Sequence, residues 1–337
     1  MAVSLRNDAG ADPFGERCGQ HLHVRRQLLG GRFRFESTSE ALMQLVESAY
    51  AGLPPQQLPM AGPEFRIELR LLPHRQRAEH AEPPPVQTQS GAGLLSGVMD
   101  GSNYVVLSPA QRRGLVVASQ DMLSHPYHLR YELIEFAAFT LAARGMGLVP
   151  LHGACVGRQG RGILLLGGSG SGKSTLAMHG LLQGMEFLSE DAVFVQPESL
   201  LATGVANYLH VQDDALRFIE DGATRHWIGR SPVIRRRSGV EKFEADLRLG
   251  HGLLADRPLQ LVGAVFVSSE PAEDPAALLS PIRAEDIAAR LRSDQPYAAT
   301  QPGWHRFGQR LAHVGVHELR RGRHPRDSVD ALQSLLA

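Results

Sequence analysis

The chain has 337 residues, 43% of them hydrophobic, with 35 basic and 35 acidic side chains. That length can bury an ample core in two domains or one large one, and zero net charge gives no electrostatic reason to expect nucleic acid or a membrane surface as a partner. The apolar run from Phe136 to Ala143 stops at Arg144, too short to span a bilayer. The first thirty residues lack the apolar centre of a secretory signal, and Cys18 and Cys155 supply neither a disulfide framework nor metal spacing, so a cytoplasmic protein is expected.

Residues 1–145 read as an α+β module. Ser37-Thr38-Ser39-Glu40 has the form of a capping box, and Leu42, Leu45, Val46, Ala49 and Tyr50 recur at helical spacing until Gly52 and Pro54. Phe65, Ile67, Leu69 and Leu71 alternate with charged residues, the period of a half-buried strand. From Pro73 to Gly93 there is no apolar periodicity and three prolines are consecutive, which predicts a loop or linker. Short strands follow around Tyr104–Leu107 and Leu115–Ala118, then a helix from about Pro126 to Arg144 closed by Gly145 and Gly147.

From residue 146 strands and helices alternate, with apolar segments at 148–156, 163–166, 192–195 and 261–267. Within GILLLGGSGSGKSTLA (162–177), a buried strand runs into the pattern G-x-x-x-x-G-K-[ST] and then a helix. Glycine lets such a turn point its N–H groups inward, and the helix adds its positive dipole end. Gly167, Gly168, Ser169, Gly170, Ser171, Gly172, Lys173, Ser174 and Thr175 therefore form the candidate ATP cradle. Lys173 is expected to reach the β- and γ-phosphates and the Ser174 hydroxyl to ligate Mg2+.

Glu190 and Asp191 stand at the mouth of the next apolar segment. Beside a phosphate cradle, one carboxylate can hold the metal while the other accepts the proton of an attacking hydroxyl. His152, on the strand expected just before the loop strand, is read either as a satisfied core residue or as a donor near the γ-phosphate. The other fourteen histidines have no comparable setting. Lysine occurs only at Lys173 and Lys242, the other thirty-three basic residues being arginine. Arginine serves most cationic roles here, so these two positions point to a need for a compact ammonium. Lys242 is read either as a second phosphate-directed cation beside Arg235–Arg237 or as a solvated surface lysine, and Arg235–Arg237 either as part of that group or as a solvated basic turn.

LHGACV, GGSGSGKST and LSEDAVFV, in this order and spacing, resemble the HPr serine kinase/phosphorylase family, especially the HPr-kinase-related serine kinases that accompany lasso peptides. The resemblance covers roughly residues 146–270. It implies a P-loop kinase core similar to HPr kinase and phosphoenolpyruvate carboxykinase (146–337) and ATP-dependent phosphorylation of a serine hydroxyl on a peptide or protein. The smaller N-terminal α+β module (1–145) lies outside it, and whether that module recognises acceptor or partner stays open. By the same resemblance Lys173 and Ser174 match the loop lysine and the magnesium-binding hydroxyl, His152 the histidine near the phosphates, and Glu190-Asp191 a pair that is usually Asp-Asp. The base is placed on Glu190 and the metal on Asp191. The glycine-rich segment of the bifunctional enzymes is missing, so phosphorylase activity is not expected. A kinase of a small hydroxyl-bearing metabolite and a nucleotide-switch ATPase are the competing readings. Self-association as a homo-oligomer stays open.

Overall fold

The computed structural model describes residues 21–59, 62–73, 82–250, 252–274 and 277–337. It is a mixed α/β protein whose chain divides into two compact units. The smaller takes in the first strand up to Arg25, Arg34–Ser48 and Arg66–Ala137; the larger takes in Arg26–Phe33, Ala49–Phe65 and Ala138–Ala337.

The smaller unit is organised on a seven-stranded sheet. In spatial order its strands are Leu22–Leu28, Gly31–Ser37, Glu64–Leu72, Arg113–Ser119, Asn103–Ser108, Leu94–Asp100 and Gln87–Gly91. Period-two alternation buries Ile67 and Leu69 as expected, and Val105 and Leu107 likewise. The strand Gln87–Gly91 occupies part of the segment expected to be a loop; its residues are all exposed and polar or glycine, so hydrophobic periodicity gave no sign of it. Residues 74–81 of that same segment lie outside the described residues. Of the two N-terminal strands, neither of which is among the expected elements, the first has no clean alternation, whereas in the second Phe33 and Phe35 are buried between Arg32, Arg34 and Glu36. The helix Glu40–Tyr50 is capped by Ser39, whose hydroxyl accepts from the Leu42 amide at 3.4 Å, and not by Ser37. Ser37 is buried and donates instead to the Leu69 carbonyl at 2.7 Å. The helix expected at 126–144 is present as Pro126–His128, a π-helical stretch Leu129–Glu135, and Phe136–Met146.

The larger unit is built on a mixed ten-stranded sheet. Its main path runs Leu253–Leu254, Glu186–Ser189, Ala154–Arg158, Arg161–Leu166, Leu259–Pro271, Leu201–Gly204, Ala192–Val195 and Val149–His152. Leu259–Pro271 also pairs in parallel with Val316–Arg321, which in turn holds Leu279–Pro281. Strand alternation splits the core in two. Ala154, Val156, Ile163 and Leu165 face one side with Leu176 and Leu181 of the helix Lys173–Leu182 and Val329 and Leu332 of the helix Pro325–Ser334. Cys155, Leu164 and Leu166 face the other side with Ile287 and Leu291 of Ala284–Asp294 and Phe307 and Leu311 of Trp304–Val314. A three-stranded sheet, Tyr208–Val211, Glu241–Asp246 and Val233–Arg235 in that order, adds Leu209, Val211 and Ala245 to the first side.

The apolar segment 148–156 is two strands broken at Gly153. A Cβ there would stand 2.6 Å from the Leu165 carbonyl oxygen, so only glycine lets the chain turn against the neighbouring strand. His152 is thus not on the strand immediately before the loop strand: Ala154–Arg158 intervenes and is the antiparallel partner of Arg161–Leu166. Tertiary pairing instead sets His152 opposite Ala192.

Candidate active site

The loop strand Arg161–Leu166 is apolar because it is enclosed on both faces, and it ends at Gly167. Gly167, Gly170 and Gly172 have φ values of 128°, 79° and 102°, a region that side-chain-bearing residues avoid. The helix then begins at Lys173, with Ser174 and Thr175 in its first turn. Gly168, Ser169 and Gly170 are exposed and Ser171 is half-buried. Lys173 is only 7% exposed and donates from Nζ to the carbonyls of Gly167 at 2.5 Å and Gly168 at 3.0 Å. Burial lowers its pKa, against the opposing pull of Asp294 and Asp191, and Lys242 adds to the lowering.

Glu190 and Asp191 lie between the strands Glu186–Ser189 and Ala192–Val195 and meet quite different surroundings. Glu190 is 4% exposed. Its Oε1 accepts from the His210 backbone amide at 3.1 Å and lies 2.6 Å from His210 Nδ1, while its Oε2 is buried without a hydrogen-bond partner among the described residues. His210 Nε2 is 3.4 Å from Oε1 of the buried Glu244, so one imidazole bridges two carboxylates. Burial opposes charge on this ring, but Glu190 and then Glu244 outweigh it and raise the pKa to about 9.

Asp191 is the more accessible acid. Its Oδ2 accepts from Arg236 at 2.7 Å, and Oδ1 stands 3.9 Å from His152 Nδ1. Burial would raise its pKa; the Arg236 charge, with His210 and His152 adding, brings it below the ordinary carboxylate value. The His152 ring is exposed, and its Nδ1 is 3.2 Å from the Asp191 carbonyl oxygen, a contact that puts the ring proton on Nδ1. Lys242 has a pKa lowered by burial, offset by Glu190 and reinforced by Arg236. It makes no ion pair among the described residues, yet it interacts electrostatically with Glu190, Asp191 and Lys173. The structure therefore gathers the loop lysine, the second lysine, the acid pair and His152 in one neighbourhood.

Several contributors were not singled out in the sequence. His210 corrects the reading that no histidine but His152 has a special setting. The only hint was a polar ring within the short, otherwise apolar strand YLHV. Asp294 and Gln295, at the end of the helix Ala284–Asp294, had no motif at all. Gln295, 3% exposed, receives the His152 amide on Oε1 at 2.8 Å and donates from Nε2 to the His152 carbonyl at 2.8 Å.

The residues present fit a hard divalent cation. Ligand atoms of Glu190, Asp191 and His210 lie within 4.8 Å of one another, and the unpartnered Glu190 Oε2 is the kind of buried oxygen that a metal satisfies. The His210 nitrogens are both turned to carboxylates, which leaves the oxygens as the donors, the set magnesium prefers.

No protein-family model and no curated protein matches the chain. Among solved structures it is similar to the HPr(Ser) kinase/phosphatase from Coxiella burnetii, at 13% identity over 55% of this chain and 87% of that one, with a TM-score of 0.28. A superposition this loose bears on neither activity nor substrate. No helix among the described residues is long and apolar enough to cross a membrane.

Proposed function

We propose that the chain is an ATP-dependent phosphotransferase that passes the γ-phosphoryl group to a serine hydroxyl of a peptide or protein. The observation that carries this reading is that Lys173, at the start of the helix behind the glycine-rich loop, interacts electrostatically with Asp191 and Lys242, and Lys242 in turn with Glu190 and Asp191. Phosphoryl transfer asks a protein chiefly for position and for compensation of charge on the moving group. Lys173 would leave its loop carbonyls for the β- and γ-phosphate oxygens, and Lys242 would meet the γ-phosphate from the other side. Magnesium bound with ATP would be held by the Ser174 hydroxyl and Glu190 Oε2, and would neutralise phosphate charge.

The two acids take the roles opposite to those expected from sequence. Glu190 is buried with one oxygen held twice by His210, whereas Asp191 is held through Oδ2 alone and offers Oδ1. Asp191 Oδ1 accepts the acceptor's hydroxyl proton as the new oxygen–phosphorus bond forms and the bond to the β-phosphate oxygen breaks, releasing ADP. A serine acceptor on a peptide is supported by the motif resemblance. The test is incubation of the protein with Mg-ATP and serine-containing peptides, read by mass spectrometry. Addition of one phosphate that Lys173→Met abolishes is the expected result; failure to bind Mg-ATP would overturn the reading.

A further inference from the structure

Asp294 sits where a nucleotide site should least tolerate an unpaired acid. Its Oδ2 receives the Gly167 amide at 3.4 Å and the Gln295 side-chain amide at 2.7 Å. Gln295 is itself locked to both backbone groups of His152, so the carboxylate is tied to the glycine-rich loop on one side and to the His152 strand on the other. Neither oxygen forms an ion pair among the described residues, and Oδ1 accepts no hydrogen bond among them. Asp294 is nonetheless the foremost charge acting on buried Lys173. A fixed negative charge beside a phosphate loop repels a bare triphosphate, and repels it far less once a divalent cation has neutralised part of the phosphate charge.

We propose that Asp294 makes this loop selective for the magnesium complex of a nucleoside triphosphate over the free nucleotide, with Oδ1 as the oxygen that faces the complex. The role rests on the nucleotide site proposed above and adds a third carboxylate to it, from a helix remote in sequence. It also explains why a buried glutamine holds an aspartate that forms no ion pair among the described residues: the hydrogen bonds fix one oxygen and leave the other to the ligand.

The experiment is calorimetric titration of the full chain with ATP in EDTA and with ATP in excess magnesium chloride, which reads binding without any acceptor. The wild type should bind Mg-ATP the more tightly. Asp294→Asn, nearly isosteric and still able to accept from Gln295, should shrink the ratio of the two dissociation constants by roughly tenfold or more, chiefly by tightening free ATP, the scale of a typical coupling between sites. Asp294→Ser should shrink it in the same direction, and thermal melting of each variant checks that it is folded. A wild type that binds both forms equally, or variants that keep the wild-type ratio, overturn the role of Asp294 and leave the nucleotide site standing. A wild type that binds neither form overturns the nucleotide site and this role with it.

Discussion

Raising the pH should unload a buried imidazolium and weaken the larger unit. In the folded chain burial disfavours the charged His210 ring, but Glu190 and Glu244 more than compensate and hold its pKa at about 9, against an ordinary value of 6.5. Below about 6.5 the folded and unfolded chains both carry the proton and the stabilisation is fully present. Between 6.5 and about 9 only the folded chain carries it, and the contribution disappears as the pH rises through the folded value. One proton's difference gives a slope of about 1.4 kcal/mol per pH unit, so the whole window is worth on the order of 3 kcal/mol. Urea unfolding at a series of pH values across the window would measure it. Tryptophan fluorescence is a suitable signal, because the two tryptophans, Trp227 and Trp304, both belong to the larger unit. His210→Asn can keep a donor toward Glu190 but cannot titrate, and should flatten the slope. If wild type and variant lose stability in parallel, or the wild type loses none, His210 does not bridge Glu190 and Glu244 as an imidazolium.

Lys242→Ala removes a cation without breaking an ion pair among the described residues, so the fold should survive while Mg-ATP turnover falls by roughly tenfold or more. A rate within a few fold of wild type in an ADP-release assay would take Lys242 out of the site. Arg236→Gln leaves Asp191 without the charge that brings its pKa down, so that pKa should rise and the acid limb of the pH–rate profile should move to higher pH. An unmoved limb would show that Asp191 does not govern it. Gly153→Ala forces a Cβ to 2.6 Å from the Leu165 carbonyl oxygen and should cost about 1–3 kcal/mol. Calorimetry should show a lowered Tm, and an unchanged Tm would mean that the strand break at 153 relaxes freely.

Local patterns were legible where one strand or one turn sets its own requirements. The run Ile163–Leu166, the glycines at 167, 170 and 172, and the strands around 65–71 and 192–195 announce themselves because burial and backbone geometry act over a few neighbouring residues. Lys242 was reachable by another route, the near-complete replacement of lysine by arginine, which marks the places where a compact ammonium is kept. The polar strand Gln87–Gly91 escaped because an exposed edge strand buries nothing and so leaves no period to read.

The residue types of the loop and of the acid pair were set by the amino-acid sequence alone, since inward-facing amides and adjacent carboxylates depend on which residues follow one another. What each acid meets was decided only in three dimensions. His210 reaches Glu190 from a separate small sheet, Arg236 reaches Asp191 from the neighbouring hairpin, and Asp294 reaches Gly167 across 127 positions of chain. No local period encodes such meetings, because they follow from strand pairing and helix packing over the whole larger unit. That packing buries one acid and leaves its neighbour open.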